Sequence, residues 1–197
     1  MTATISKKSG KGTTDGVVSE LTTYFTVKPG HEEEMRAACE RFNSLMHEPN
    51  WRQQAQKSGL REWRQALVDN GRRLLFMTSF EADWDPYIDD AVLVIGIDHI
   101  IDWLRHTVEA EAHREELQPV VAAARQGVAS TAVLKKILQS VQVPASSYWD
   151  ALSEQTVPQI RKAQQLERAF EQVLDNPEAA QALQHPALKP LLEQAAD

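Results

Sequence analysis

Hydrophobic and polar positions change period several times along this chain, and each change predicts an element. Residues 17–27 alternate between apolar and polar side chains, which predicts a β-strand rich in β-branched and aromatic residues. Lys28-Pro29-Gly30 ends that strand, because proline donates no ladder hydrogen bond and glycine permits a turn. Glu32 to Glu34 then favour a first helical turn, and an apolar stripe with helical spacing follows from Met35 to Met46.

The next stretch has the pattern of a β-hairpin followed by a helix. Residues 60–68 alternate weakly, and Asn70-Gly71 is a strong signal for a tight turn between strands. Residues 72–80 carry apolar side chains on both faces, which predicts a central strand. A helix is predicted from Asp85-Pro86, with Asp85 as its N-cap, to about His106.

The rest of the chain is predicted to be mainly helical. A helical pattern covers about 117–141 with a break near Gly127, and a strand is predicted at 146–152. A helix follows Thr156, where the sequence is typical of a capping box. The predicted divisions are a disordered arm at 1–16, a core at 17–113, a helical insertion at 114–145, the last strand and helix of the core at 146–175, and a helical extension at 176–197.

The order strand, helix, strand, strand, helix, strand predicts an α+β fold. It is typical of a ferredoxin-like sheet with a split βαβ arrangement, here with extra C-terminal helices. Helices cover one face of such a sheet. Because residues 72–80 are apolar on both faces, the second face must also be covered, and a second copy of the chain is expected to cover it. The C-terminal helices are the alternative cover.

Composition and charge narrow the functional classes. The chain has a formal net charge of −7, which argues against a nucleic-acid partner because such proteins present a basic surface. It has one cysteine, Cys39, so no internal disulfide can form and a cytoplasmic location is expected. No apolar run approaches the roughly 20 residues that span a bilayer, so no membrane partner is expected.

Two stretches resemble the dimeric α+β barrel superfamily, namely LTTYFTVKPGHEEEMRAACERF at 21–42 and LLFMTSFEADWDPYIDDAV at 74–92. This superfamily includes antibiotic-biosynthesis monooxygenase-like proteins, haem-degrading monooxygenases, chlorite dismutases and dye-decolourising peroxidases. The second stretch looks like an uncharacterised branch of it, and so does TVPQIRKAQQLERAFEQVL at 156–174. The branch pattern falls on Phe80, Glu81, Ala82, Trp84, Tyr87, Asp89 and Asp90.

The resemblance implies a homodimer that binds a small hydrophobic or aromatic molecule. If the protein is an enzyme, it implies an oxidoreductase with cofactor-independent, monooxygenase-like chemistry, in which a pocket positions and deprotonates an electron-rich substrate. Two alternatives stay open at this point. One is a non-catalytic accessory or scaffold protein that works beside an oxidative enzyme, and the other is a haem-binding protein, because several relatives bind haem through a histidine.

A cluster of polar and aromatic residues is expected at the mouth of the sheet, where two acids and a phenol could converge on a cation or a polar substrate: Trp84, Asp85, Tyr87, Asp89 and Asp90. Tyr87, Asp90 and His99 are the candidate catalytic residues. Tyr24, Trp63 and Trp84 are the candidate substrate-binding residues. The structural alternative is that Asp83 or Asp85 caps the helix and the next two aspartates stabilise its first turns, while Trp84 and Tyr87 anchor the corner.

A second set of polar residues falls on the predicted helices, namely His99, Asp102, His106, Glu109, His113 and Glu116. Their spacing suits a metal ion, but it is equally typical of a solvated helix face, and no metal is predicted. Cys39 lies in an apolar stripe and is expected to be a small buried side chain. Arginines at 61, 64, 72 and 73 could hold an anionic ligand or protect a sheet edge.

Overall fold

A four-stranded antiparallel sheet lies at the centre of the fold. In the computed structural model, which describes residues 12–55, 58–81, 83–126 and 130–195, its strands are β1 (Thr14–Asp15), β2 (Val18–Thr26), β3 (Leu60–Val68) and β4 (Arg73–Phe80). Their order is β1-β2-β4-β3. The prediction of a central strand at 72–80 is therefore confirmed. The predicted hairpin also forms, and Asp69 and Asn70 in its turn have φ angles of 54° and 56°.

Helices account for most of the remaining described residues. They are α1 (Glu32–His47), α2 (Pro49–Ala55), α3 (Trp84–Ile95), α4 (Ile97–Leu104), α5 (Val108–Ala112), α6 (Arg114–Ala124), α7 (Ala132–Ser140), α8 (Val157–Leu174), α9 (Ala180–Leu183) and α10 (Lys189–Ala195). The chain divides into two compact units between Thr156 and Val157. The first unit holds the sheet with α1 to α7, and the second holds α8 to α10. The α+β class is thus confirmed.

The core of the first unit lies between the sheet and its helices. Leu21, Thr23 and Phe25 on β2 are fully buried on the face that meets the helices. Trp103 from α4 meets the edge of the Phe25 ring at a centroid distance of 5.5 Å and stacks on Phe76 at 5.4 Å. These aromatic contacts fix the end of α4 over the middle of the sheet.

The helix predicted from near Asp85-Pro86 to about His106 begins within one residue of that position. Its first residue is Trp84, and Asp83, one of the two aspartates expected to cap it, is at the N-cap position. The helix is not continuous, however, because Gly96 ends α3 and starts α4 with a φ of 82°. That backbone conformation is open to glycine and costly for other residues. Beyond α4, the bridge Val27↔Thr107 joins the residue after β2 to the loop that follows α4.

The predicted strand at 146–152 does not form. Instead, residues 141–143 run along β2, where Tyr24 N donates to Val141 O (2.9 Å) and Val143 N donates to Thr22 O (2.9 Å). Beyond Pro144 the described residues form no strand: the amide of Asp150 donates to Asp15 Oδ2, and the carbonyl of Ser153 accepts from the amide of Val17 at 2.8 Å. Aromatic residues at 148 and 149 raise β-propensity, but the neighbouring strand edge is already occupied.

The predicted arm at 1–16 also needs a correction in its last residues. Residues 1–11, with the lysines expected there, lie outside the described residues. Residues 12–16, by contrast, are ordered: Thr13 is buried and its amide donates to the carboxylate of Glu20 at 2.8 Å, and β1 pairs with the start of β2. Glu20 is only 4% exposed, and this bond together with one from Thr22 satisfies its carboxylate.

Candidate functional site

The first unit contains a groove whose walls are rich in positive charge. It encloses about 640 Å³ between the loop after β2 and helices α4 to α6. We call it the basic groove and define it by its polar side chains Lys28, His31, Arg105, His106, Glu111, Arg114 and Arg125 and its apolar side chains Ile101, Ala110, Leu117 and Val121. Its volume falls in the range of about 300–1,000 Å³ that small-molecule sites have.

Backbone contacts between distant segments build the groove. The amide of Lys28 donates to the carbonyl of His106 at 2.9 Å, which ties the loop after β2 to the end of α4. Thr107 then caps α5, because its hydroxyl oxygen accepts from the amide of Ala110 at 3.1 Å. These contacts place the side chains of Lys28 and His31 opposite those of Arg105 and His106.

Four cations, Lys28, Arg105, Arg114 and Arg125, line the groove with one carboxylate, Glu111, and Arg125 is paired with Asp98 at 2.6 Å. Glu111 is shared by two cations, since Lys28 Nζ lies 2.8 Å and Arg114 Nη1 lies 3.4 Å from its oxygens. Asp102 is likewise shared, by Arg105 at 2.9 Å and Arg41 at 2.8 Å. This excess of cations is local, because the chain as a whole carries a net charge of −7. An anion bound here would add the missing negative charge.

Two histidines meet at the wall of the groove. The Nδ1 atoms of His31 and His106 are 3.0 Å apart, and Arg105 Nε donates to His106 Nε2 at 3.3 Å. His106 is only 7% exposed. Burial, then the charge of the nearby Arg105 and the adjacent ring of His31, lowers the pKa of His106 below its ordinary value of 6.5. The imidazole of His106 is therefore neutral at pH 7.

We expect this histidine to make the protein less stable as the pH falls from 7 to 5. The pKa of His106 is lower in the folded state than in the unfolded state, so the unfolded state binds more protons in this window and gains in population. Denaturant unfolding at pH 5, 6 and 7 measures the effect. The His106→Gln variant should show a flatter profile, and an equally steep profile in that variant would contradict the assignment.

Two of the six predicted site residues lie together in the core. Tyr87 is buried, stacks on Phe80 at 4.1 Å and shares a hydrogen bond of 2.8 Å with the hydroxyl of Thr78. Burial raises the pKa of Tyr87 to about 12. Trp84 is also buried, one turn earlier on α3, and the ammonium of Lys135 lies 5.9 Å from the centroid of its ring. Both residues act as anchors between α3, the sheet and α7.

The other four predicted residues are spread over the first unit. Asp90 is exposed on α3, and His99 is exposed on α4, where its ring meets that of Trp51 at 6.1 Å. Trp63 packs edge-on against Phe42 at 5.1 Å on the helix-covered side of β3. Tyr24 points to the opposite side of the sheet, and its hydroxyl donates to Asp69 at 3.1 Å. These four residues do not converge on one site.

The acidic residues beside Tyr87 hold two helices together. Lys135 on α7 lies 3.0 Å from a carboxylate oxygen of Asp85 and 3.0 Å from one of Asp89, both on α3. The hydroxyl of Thr131 also donates to Asp89, and this bond, with Lys135, keeps the pKa of Asp89 low. The acidic pattern that resembles a family motif therefore serves packing between α3 and α7.

The histidine series does not come together as a metal site. His99 meets Trp51, His106 meets His31, and His113 bonds to Glu116 at 2.8 Å. Among residues 12–55, 58–81, 83–126 and 130–195, no group of three or more His, Cys, Asp or Glu side chains could hold a metal ion. Cys39 is half-buried rather than buried as its place in the apolar stripe predicts, and the burial it has raises the pKa of its thiol to about 11.

Two smaller cavities offer less room for a ligand. An apolar cavity of about 60 Å³ lies in the core beside Tyr87, Trp103 and Leu134. A cavity of about 220 Å³ lies on the other side of the sheet, between Glu20, Arg64, Met77 and Tyr148. The first is the interior pocket that the sequence leads one to expect, and it is too small for the ligands that fill typical binding sites.

Known proteins do not identify the basic groove. No protein-family model, curated protein or solved structure matches the chain. Within the described part of the chain, no helix is both long and apolar enough to cross a membrane.

The residues of the basic groove carry a weak signal in the sequence. His106 belongs to the histidine series, but Lys28, His31, Arg105 and Arg114 have no spacing that connects them. The two histidines of the contact are 75 positions apart. Only the topology, which brings the end of α4 beside the loop after β2, places them together.

Proposed function

We propose that the protein binds a small organic anion with an apolar body, and that it does so in the basic groove. The observation that carries this proposal is the surplus of cations over carboxylates around an apolar floor. Lys28 and Arg114 share Glu111, while Arg105 shares Asp102 with Arg41. A carboxylate or similar group on the ligand would balance the remaining positive charge and accept charge-assisted hydrogen bonds.

The floor of the groove supports an apolar body for the ligand. Ile101 from α4 and Leu117 and Val121 from α6 line it beneath the charged rim. A bare inorganic ion would leave these side chains in contact with water, whereas an aromatic or aliphatic body would cover them. The proposed ligand therefore keeps the hydrophobic or aromatic body predicted from the sequence but also carries an acidic group. Its proposed binding site is the basic groove rather than the core.

The test is calorimetric titration of the protein with three probes: benzoate, 2-naphthoate and decanoate. At least one should bind saturably, and the neutral amide of the same probe should bind at least tenfold more weakly. The double variant Lys28→Gln/Arg114→Gln should weaken binding by about 10- to 100-fold, since each hydrogen bond to a charged group contributes about 1.5–3 kcal/mol, reduced by solvent at this open site.

A matched variant controls for the loss of positive charge. Arg36→Gln removes an exposed arginine from α1 that pairs with Glu33 at 3.8 Å and does not line the groove. It should bind the probe as the parent protein does. The absence of saturable binding by all three probes, or equal loss in the control and in the double variant, would overturn the proposal.

We further propose that the sheet is of the ferredoxin-like kind, with residues 141–143 in the place of the fourth strand. Two observations support this. α1 lies between β2 and β3 in the chain, and α3 follows β4, as in a split βαβ unit. Residues 141–143 lie antiparallel to β2 through the bridge Thr23↔Gln142. Membership of the dimeric α+β barrel superfamily, and a homodimer formed through the second sheet face, stay predictions.

Three functional details stay predictions as well. Cofactor-independent oxygenase-like chemistry would use the groove to hold an electron-rich substrate as its anion. Haem binding predicts a Soret band when haemin is added to the protein. The third is an accessory role beside an oxidative enzyme, for which the apolar stripe of α8 would be a docking surface.

A further inference from the structure

The contact between His31 and His106 fixes where their protons lie. A guanidinium always donates, so the nitrogen of His106 that faces Arg105 Nε, at 3.3 Å, is an acceptor without a proton. Neutral His106 therefore carries its proton on Nδ1 and donates it to His31 Nδ1, 3.0 Å away. His31 in turn carries its proton on Nε2. Arg105 thus sets the tautomer of both rings.

This arrangement has no place for an additional proton. His106 Nε2 is occupied by the bond from Arg105, and both Nδ1 atoms share the proton between the rings. The pair can become an imidazolium only if Arg105 releases His106 Nε2. After that release the proton between the two rings stays on His106 Nδ1, and the tautomer of His31 does not change.

Charged groups on every neighbouring element act on the pair. Arg105 opposes a positive charge on His106, whereas Asp102 from α4 and Glu34 from α1 favour it. Lys28, Arg114 and Glu111 also line the groove, and so does Arg125, which is paired with Asp98 at 2.6 Å. Burial is the largest of these effects and Arg105 adds to it, so His106 is neutral in the unliganded protein at pH 7. An anion in the groove reverses this balance.

We propose that an organic anion enters the basic groove together with one proton, which His106 Nε2 takes up from water as Arg105 turns from His106 to the anion. This inference rests on the proposed function. Arg105 keeps its bond to Asp102 through Nη2 (2.9 Å), so only its Nε end needs to change partner. The imidazolium and the guanidinium then both face the ligand, and the site accepts it more tightly at lower pH.

Calorimetry of the full-length protein counts the proton. Titration with 2-naphthoate, or with whichever of the three carboxylate probes binds, is carried out at pH 7.0 in HEPES and in Tris, which differ in ionisation enthalpy. The apparent enthalpy should differ between the buffers by the amount due to uptake of 0.5 to 1 proton. Between pH 6.5 and 7.5 the affinity should fall by about three- to tenfold, because each bound proton changes log K by at most one per pH unit.

Variants locate the proton. His106→Gln should bind the probe more weakly and take up no proton through this site, and Arg105→Leu should show reduced uptake because the empty pair can already be protonated. His99→Gln, on the exposed side of α4, should retain the full uptake. Nitrogen NMR of the unliganded parent protein at pH 7.5 gives a check that needs no variant: His106 Nε2 should have the shift of an unprotonated nitrogen and Nδ1 that of a protonated one.

The outcomes separate the two proposals. If no probe binds, the proposed function fails and this inference fails with it. If a probe binds but the enthalpy is the same in both buffers, the groove is a ligand site and the proton coupling is wrong. Undiminished uptake in His106→Gln, or a protonated Nε2 on His106 in the unliganded protein, also overturns the inference.

Discussion

Replacement of Arg61 by leucine is expected to lower the free energy of unfolding by about 3 kcal/mol, because it removes the guanidinium from a buried ion-pair network. Arg61 donates to the carbonyl oxygens of Gln155 (2.9 Å) and Leu152 (3.0 Å) and lies 3.0 Å from Asp150 and 3.5 Å from Glu81. Its side chain is 11% exposed. Denaturant unfolding followed by circular dichroism measures the loss.

Arg61→Leu should also increase local unfolding in the segment that Arg61 holds. Residues 145–156 hold no regular structure of their own, and Arg61 connects them to β3, so hydrogen exchange in peptides from this segment should accelerate most in Arg61→Leu. Arg64→Leu is the control: it lies on the same strand, pairs with Glu62 at 2.8 Å and is 62% exposed, so it should cost less than 1 kcal/mol. Equal losses in the two variants would show that Arg61 is not the connection.

Local signals in the sequence predicted most of the sheet. Alternation over residues 17–27 and 60–68, the turn at Asn70-Gly71 and the apolar faces of residues 72–80 each depend on neighbours in the chain, and the strands form within two residues of those bounds. The strand predicted at 146–152 failed because its pairing depends on a distant edge. That edge of β2 is occupied by Gln142, which precedes the segment.

The candidate site was harder to predict for a related reason. The most conspicuous pattern in the sequence comprises Trp84, Tyr87 and Asp89. In the structure these residues contact α7 and β4, so they contribute to packing rather than to a site. Lys135, which neutralises Asp89, lies far along the chain and gives no sign of that role in the sequence. The basic groove, in contrast, depends on Gly96, which divides one predicted helix into two and leads the end of α4 to His31.

Replacement of Trp103 by alanine is expected to lower the free energy of unfolding by about 3–5 kcal/mol, the cost of a large cavity in a packed core. Trp103 is 3% exposed and contacts the rings of Phe25 and Phe76. It also borders the core cavity of about 60 Å³, so the truncation joins the space of the lost indole to a void that already exists. Chemical unfolding gives the magnitude.

Binding of added indole tests whether the core can hold an aromatic ligand. Added indole should raise the Tm of Trp103→Ala, since a ligand that binds only the folded state stabilises it, and should leave the Tm of the parent protein unchanged. Trp103→Phe should cost less than the alanine variant, partly because the indole nitrogen of Trp103 is buried with no hydrogen-bond partner in the described residues. Trp149→Ala, at a ring that is 77% exposed, should change stability by less than about 0.5 kcal/mol.

A rise in the Tm of the parent protein on addition of indole would mean that the core opens to aromatic molecules. The ligand site would then lie beside Tyr87, where the sequence first placed it, rather than in the basic groove.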